Sequence, residues 1–339
     1  MGGFRTSRQA DRTLLQTRPS SCPKTRQDMS TLRITVASRQ PNRGMVDEPS
    51  LEVHFRNFDS SAEKPMPTRQ PHRDLQHSDL PSQLGIWRLG PVIHDGIDNV
   101  VCHAQPIDAA GSPRWDYAIK VAKTQQAQDG IHRSIAAASE VSHPNLITIL
   151  DGDPIGETPY VVMPRIVGES MEANLKRGSG RPLPVALWFV RQLCQALDKM
   201  HQTGWVHGDV KPANLIISAN GHVTLVDLGY AFEGTLDQAS PFRGTPAYAA
   251  PELLSNPSAA TSASDLYAAG RILWDWLANV ETTNELLLSP VCELVEQMAD
   301  ESPRLRPQAS KVVQTLLRLE IDSLGDHIEP SQSNQRRAA

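Results

Sequence analysis

The chain has 339 residues, with 33 Lys+Arg against 38 Asp+Glu for a formal net charge of -5 and 39% hydrophobic residues, the composition of an ordinary globular protein long enough to bury a sizeable core. The charge is unevenly placed, 13 basic and 9 acidic side chains in residues 1–80 against 20 and 29 in the remainder, so the protein as a whole carries no nucleic-acid footprint. No apolar run approaches the ~18–20 residues that span a bilayer, no apolar core follows the early arginines as in a secretory signal, and Cys22, Cys102, Cys194 and Cys292 lack zinc or disulfide spacing, so a reducing, cytoplasmic location is expected.

Residues 1–80 are rich in Arg, Ser, Gln and Pro and poor in aromatics. Such a stretch buries too little apolar surface to offset its ordering entropy, and it is expected to be mostly disordered. Two pieces, residues 32–36 and 51–55, alternate apolar and polar side chains as strands do. Met1-Gly2-Gly3-Phe4-Arg5-Thr6 fits the loose N-myristoylation pattern.

From Leu84 the texture changes to short β-type runs. Residues 86–92, 99–105 and 117–122 read as three successive strands, a helix is expected over about 128–141, and residues 146–150 and 160–163 supply two more strands. Beyond Met163 helical periodicity takes over. Ala186, Val190, Leu193, Cys194, Leu197 and Met200 form one apolar stripe on a helix that Pro184 opens and Gly204 ends. A central helix apolar nearly all round is expected over about 265–278, with two more over about 290–300 and 308–320 and a polar tail from 321 to 339.

The densest chemistry lies in His207-Gly208-Asp209-Val210-Lys211-Pro212-Ala213-Asn214, followed after the apolar run 223–226 by Asp227-Leu228-Gly229. A carboxylate to orient a hydroxyl, a lysine for phosphate charge, and an amide plus a second carboxylate for a divalent cation are the parts that phosphoryl transfer needs. For Asp209 the plainer reading, a turn carboxylate capping backbone amides, explains neither Lys211 nor Asn214. His207 reads as a packing and hydrogen-bonding residue, and Gly229 as the residue that lets the backbone turn after Asp227.

In this order and spacing the two segments resemble the catalytic loop and metal-binding loop of the protein kinase superfamily, in particular bacterial eukaryote-like Ser/Thr kinases. The resemblance covers roughly residues 84–320. It implies an α+β, two-lobed fold, with a five-stranded antiparallel sheet and one helix in a small lobe over 84–163 and a mainly helical large lobe over 167–320. It also implies ATP and Mg2+ as cofactors and a protein substrate with a Ser or Thr acceptor. Lys120, in Tyr117-Ala118-Ile119-Lys120, looks like the strand lysine that holds the ATP phosphates. Asp209, Lys211, Lys120 and Thr245 are then the catalytic residues, and Asn214 and Asp227 the magnesium ligands, oxygen donors suited to a hard cation. Nucleotide contacts are assigned to Ile93, Gly96 and Val101 around the nucleotide-covering loop and to Met163, Pro164 and Ile166 at the hinge. Gly244-Thr245-Pro246-Ala247-Tyr248-Ala249-Ala250-Pro251-Glu252 resembles the segment that shapes the peptide groove, where the Thr245 equivalent touches both Asp209 and Lys211 equivalents. Glu252 is expected to pair with Arg306, and Asp265 to anchor the backbone of the catalytic loop, although as a bare residue it equally suits a helix cap.

Three positions depart from the family pattern. The nucleotide-covering loop reads His94-Asp95-Gly96-Ile97-Asp98-Asn99, with one glycine kept and Asn99 at a place that tolerates positive φ. The helix glutamate that pairs with the strand lysine falls on Ser134, and Glu140 lies about 240° further round the helix, which leaves Lys120 to find Asp227 or another carboxylate. The arginine expected before Asp209 is Gly208, so phosphorylation of Thr235, Ser240 or Thr245 is expected to have no bearing on activity. The rival reading is a pseudokinase that binds partners without chemistry. Small-molecule phosphotransfer, where His-Gly-Asp also occurs, is disfavoured by Lys211 and the 244–252 segment.

Overall fold

The structure, a computed structural model, describes residues 80–109, 114–178, 180–236, 242, 244–281 and 284–328. The alternating segments 32–36 and 51–55, the N-terminal acylation pattern, Cys22 and Ser240 lie outside the described residues.

Alternate side chains of the first strands bury on opposite faces of a single sheet. Strands β1 (Gln83–Leu84), β2 (Trp87–Asp95), β3 (Asn99–Pro106), β4 (Tyr117–Ala122), β5 (Asp151–Asp153) and β6 (Tyr160–Pro164) pair in the order β1-β2-β3-β4-β6-β5, every pair antiparallel. Five long-range strands are joined by the two-residue β1 at one edge. One face carries Trp87, Val100, Cys102, Ala104, Ile119, Val121 and Val162. The other carries Ala122 and Val161, covered by Ala127 and Ile131 of α1 (Gln125–Glu140). Thr124 caps that helix by accepting from the Ala127 N–H.

The expected strand 146–150 is corrected. Leu146, Ile147 and Ile149 are buried, but Leu146 makes an isolated bridge to Leu225, Leu150 N–H reaches the Val162 carbonyl at 2.8 Å, and the strand beside β6 is formed by Asp151–Asp153. Apolar, β-branched composition reports burial, not a lateral partner.

The second lobe is helical. After β7 (Glu169–Ser170) and α2 (Met171–Arg177) comes α3 (Leu183–Gln202), whose stripe Ala186, Val190, Leu193, Cys194, Leu197 and Met200 is wholly buried. Burial pushes the Cys194 thiol up to about 12, as suits an inert core thiol. The chain returns through β8 (Trp205–Val206), the hairpin β9 (Leu215–Ile217) and β10 (Val223–Leu225), and β11 (Phe232–Glu233). Then follow α4 (Pro251–Ser255), α5 (Ser262–Leu277), α6 (Glu285–Met298) and α7 (Ala309–Ile328). α5 packs Leu266, Ala269, Ile272, Leu273 and Trp276 into the main core. α7 runs eight residues past the expected end at 320. No helix among the described residues is long and apolar enough to cross a membrane.

Candidate active site

The loop between β8 and β9 is held from below by α5. Asp265 accepts hydrogen bonds from the backbone N–H of His207 at 2.9 Å and of Gly208 at 3.0 Å, and His201 Nε2 lies 3.0 Å from the same carboxylate. Burial alone pushes its pKa up, but the contact with His201 and the field of His207 outweigh this and hold it below the usual carboxylate value. The anchoring role is therefore the one seen, and the helix itself is capped by Thr261 and Ser264.

Gly208 has φ +77, and a Cβ there would meet the Tyr230 carbonyl at 2.9 Å. Where the family pattern has arginine, this backbone asks for glycine. His207 is fully buried, its Nδ1 3.3 Å from the Asp209 N–H.

Asp209, itself 4% exposed, is the centre of a closed ring. Its Oδ1 accepts from Thr245 Oγ1 at 2.8 Å, and its Oδ2 from Lys211 Nζ at 2.6 Å and Asn214 Nδ2 at 3.1 Å. Lys211 Nζ also donates to Thr245 Oγ1 at 2.9 Å. Asn214 spends its amide hydrogens on the Asp209 carbonyl and carboxylate, which turns its Oδ1 away from Asp209. The Val226 N–H donates to the Asn214 carbonyl at 2.8 Å, so the chain leaving β10 brings Asp227 alongside.

Asp227 has φ +67, the only positive value on a non-glycine among the described residues. The left-handed turn thus falls on the aspartate itself and not on Gly229, a correction to the sequence reading. A side chain in this region is held by its surroundings, here by Lys120 Nζ at 2.7 Å and the Gly229 N–H at 3.1 Å, both on Oδ1. Burial raises the Asp227 pKa, but the Lys120 ammonium overrides it and holds the carboxyl at about 2. Because the folded value is depressed, the stabilisation is complete above the unfolded-state pKa and is lost as pH falls from about 4 through 2. Urea titrations of wild type and Lys120→Met between pH 5 and 2.5 are expected to converge as pH falls, the wild type losing stability faster. A constant difference across that range contradicts the pairing.

The two departures near Lys120 also have a structural outcome. Ser134 is buried and donates to the Gly130 carbonyl of its own helix at 2.8 Å, and Glu140 accepts from Trp205 Nε1 at 2.9 Å, so neither reaches Lys120. Sequence reasoning missed Arg133, whose Nε donates to the Gly229 carbonyl at 2.7 Å. A side chain that recognises a backbone carbonyl leaves no partner to find in the sequence. A cleft lined by Asp98, Asn99, Lys120, Arg133, Asp227 and Tyr230 results.

The loop over this cleft is pinned instead of glycine-rich. Lys123 Nζ donates to Asp95 Oδ1 and to the Gly96 carbonyl, both at 2.8 Å, and Thr124 Oγ1 to Asp98 Oδ1 at 3.0 Å. Neither Gly96 nor Asn99 has positive φ. Of the other expected nucleotide contacts, half-buried Ile93 lies on β2, Val101 is the register partner of Lys120, Met163 and Pro164 lie on β6 beside β4, and Met163 and Ile166 pack against the large-lobe core.

At the far end of the Thr245 segment, Arg306 forms a two-pronged pair with Glu252, Nη1 to Oε1 and Nη2 to Oε2, each 2.7 Å. Arg306 sits under Tyr267, 4.9 Å from the ring centroid.

Comparison with known proteins gives the family. The family described as protein kinase domain matches residues 112–318. The chain is 30% identical over 254 residues to the serine/threonine-protein kinase PkaA of Streptomyces coelicolor, an overlap covering 66% of this chain and 46% of that one. It is 32% identical over 168 residues to the probable serine/threonine-protein kinase PknB of Lactococcus lactis, covering 47% and 27%. It is 31% identical over 175 residues to PknB of Mycobacterium leprae, covering 48% and 28%. The chain thus spans between about a quarter and a half of the length of the curated relatives it matches.

Proposed function

We infer, because the chain belongs to the protein kinase family, that it transfers the γ-phosphoryl group of ATP to serine or threonine side chains of proteins. One observation carries this reading: the Asp209, Lys211 and Thr245 ring and the Lys120–Asp227 pair share one chain turn through Asn214 and Val226.

The roles follow from the chemistry of each group. Asp209 accepts the proton of the acceptor hydroxyl and orients its oxygen. Lys211 balances charge that builds on the transferred group. Thr245, bonded to both, fixes where the peptide segment lies relative to the base. Lys120 meets the phosphates, and Asp227 keeps it extended into the cleft. Asn214 Oδ1 and Asp227 Oδ2, which accept no hydrogen bond from a described side chain or backbone group, are the hard oxygen donors that suit magnesium. The metal supplies neutralisation of phosphate charge when bound. The names of the relatives support Ser/Thr specificity, as does a lysine two residues after the base.

Purified protein incubated with ATP, magnesium and a generic basic protein tests the reading. Incorporation that Asp209→Ala removes supports the enzyme. Incorporation absent under all conditions supports the scaffold reading, which the buried Ser134 and the pinned 94–99 loop favour.

Gly208 supplies no cation for an activation-segment phosphate, and Thr245 already spends its hydroxyl on Asp209 and Lys211. Phosphatase-treated protein is therefore expected to keep its activity within about twofold. A tenfold drop traced to Thr235, Ser240 or Thr245 rejects that expectation.

A further inference from the structure

Helix α1 normally has one polar duty toward a strand lysine, and here no carboxylate of the helix performs it. Lys120 takes its anion from Asp227 alone among the described residues. The helix is nevertheless tied to the large lobe at three points. Its Gly130 lies against Gly229, where an added Cβ would sit 3.4 Å from the Gly229 carbonyl oxygen. Arg133 Nε donates to that same oxygen at 2.7 Å. Glu140, two turns on, accepts from Trp205 Nε1 beside the catalytic loop.

Gly229 is thereby gripped on both sides. Its N–H bonds Asp227 Oδ1 at 3.1 Å, and its carbonyl is held by Arg133. The residue that must be fixed is Asp227, whose left-handed backbone is uncommon for a residue with a side chain and depends on its contacts. A hydrogen bond from a charged donor is among the stronger ones, and one aimed at a backbone carbonyl fixes a peptide plane.

We propose that Arg133 is the positioning residue that replaces the missing helix carboxylate: it couples α1 to the metal-binding loop through the Gly229 carbonyl, and so sets the Asp227 carboxylate for magnesium and Lys120. The coupling partner is the metal loop and not the lysine. This rests on the kinase reading, and the experiment separates the two.

Arg133→Met, Arg133→Lys and Ser134→Glu are compared with wild type. In the nucleotide-free protein, amide hydrogen exchange of residues 227–230 is expected to speed up about tenfold or more in Arg133→Met, the loss of one charge-assisted bond. The melting temperature should shift by no more than about 2 °C, because Arg133 is only half-buried. The magnesium concentration that half-saturates binding of a fluorescent ATP analogue should rise about tenfold. Arg133→Lys should recover part of both effects, since an ammonium also donates to a carbonyl. Ser134→Glu in the Arg133→Met background should recover neither, because a carboxylate has no hydrogen to donate to the Gly229 carbonyl and can serve only Lys120.

Unchanged exchange and an unchanged magnesium midpoint in Arg133→Met overturn the proposal, as does equal loss in Arg133→Met and Arg133→Lys. Recovery by Ser134→Glu overturns it too. A wild type that binds the nucleotide but never transfers removes the kinase reading while leaving the Arg133 comparison decisive. A wild type that binds no magnesium nucleotide removes both.

Discussion

Asp209→Asn is expected to lower phosphoryl transfer about 10²–10⁴-fold, the contribution typical of a positioned base, with the KM for ATP near the wild-type value. The carboxylate takes three donors, Thr245 on one oxygen and Lys211 and Asn214 on the other. Asparagine keeps the shape but has one acceptor. With its NH2 toward Lys211 and Asn214 both of those hydrogen bonds are lost, so the amide oxygen faces them and the NH2 faces Thr245, whose hydroxyl must turn from donor to acceptor; the weakened ring costs about 1–3 kcal/mol of stability. A melting curve measures that loss separately from the chemistry. The decisive measurement is the split between constants. A base acts on the acceptor hydroxyl in the transition state, so kcat is expected to fall while nucleotide binding, assigned in the proposed function to Lys120 and Asp227, stays. A variant that keeps more than a tenth of wild-type transfer leaves Asp209 without the role assigned to it.

Much of this site was legible in the sequence because its parts are short-range and typed by chemistry. Asp209, Lys211 and Asn214 lie within six residues, and only phosphoryl transfer asks for that trio together. The Glu252–Arg306 and Asp265 contacts were legible through resemblance, since 54 and 58 residues separate the partners and no local pattern links them. What escaped has a common physical character. The Arg133–Gly229 and Glu140–Trp205 bonds depend on where a whole helix docks. Gly208 read only as the absence of an arginine, but its φ makes glycine a backbone requirement there. Residues 146–150 were apolar enough for a strand, yet a ladder needs one continuous neighbour at about 4.8 Å, and this segment leaves Leu225 for Val162, bonding Ile147 to the first and Leu150 to the second. The α7 end was misjudged because residues 321–328 alternate polar and apolar weakly, and tertiary packing on α3, including Arg191 with Glu320, carries the helix on.

Arg306→Met is the substitution expected to unfold the protein most readily. The guanidinium side chain is fully buried and Glu252 12% exposed. Removing the cation strands the carboxylate with Ser264 Oγ as its remaining side-chain donor, at 3.1 Å. It also frees the Asp300 and Ala263 carbonyls that Arg306 satisfies at 2.8 and 3.0 Å. Breaking one side of such a pair costs about 3–5 kcal/mol, which at roughly 2–4 °C per kcal/mol for a domain of this size lowers Tm by about 10 °C. Glu252→Gln should cost less, because its amide oxygen still accepts from Arg306. The double variant should lose less than the sum of the two, by 0.5 kcal/mol or more in the range seen for groups in contact. The loss matters for the chemistry through a chain of contacts. Arg306 holds the Ala263 carbonyl at the start of α5, Asp265 two residues on holds His207 and Gly208, and Glu252 ends the segment that carries Thr245. Transfer by Arg306→Met at a temperature well below its Tm should therefore fall further than the fraction of folded protein does. A loss of activity that tracks the folded fraction alone confines the pair to stability and severs it from the base.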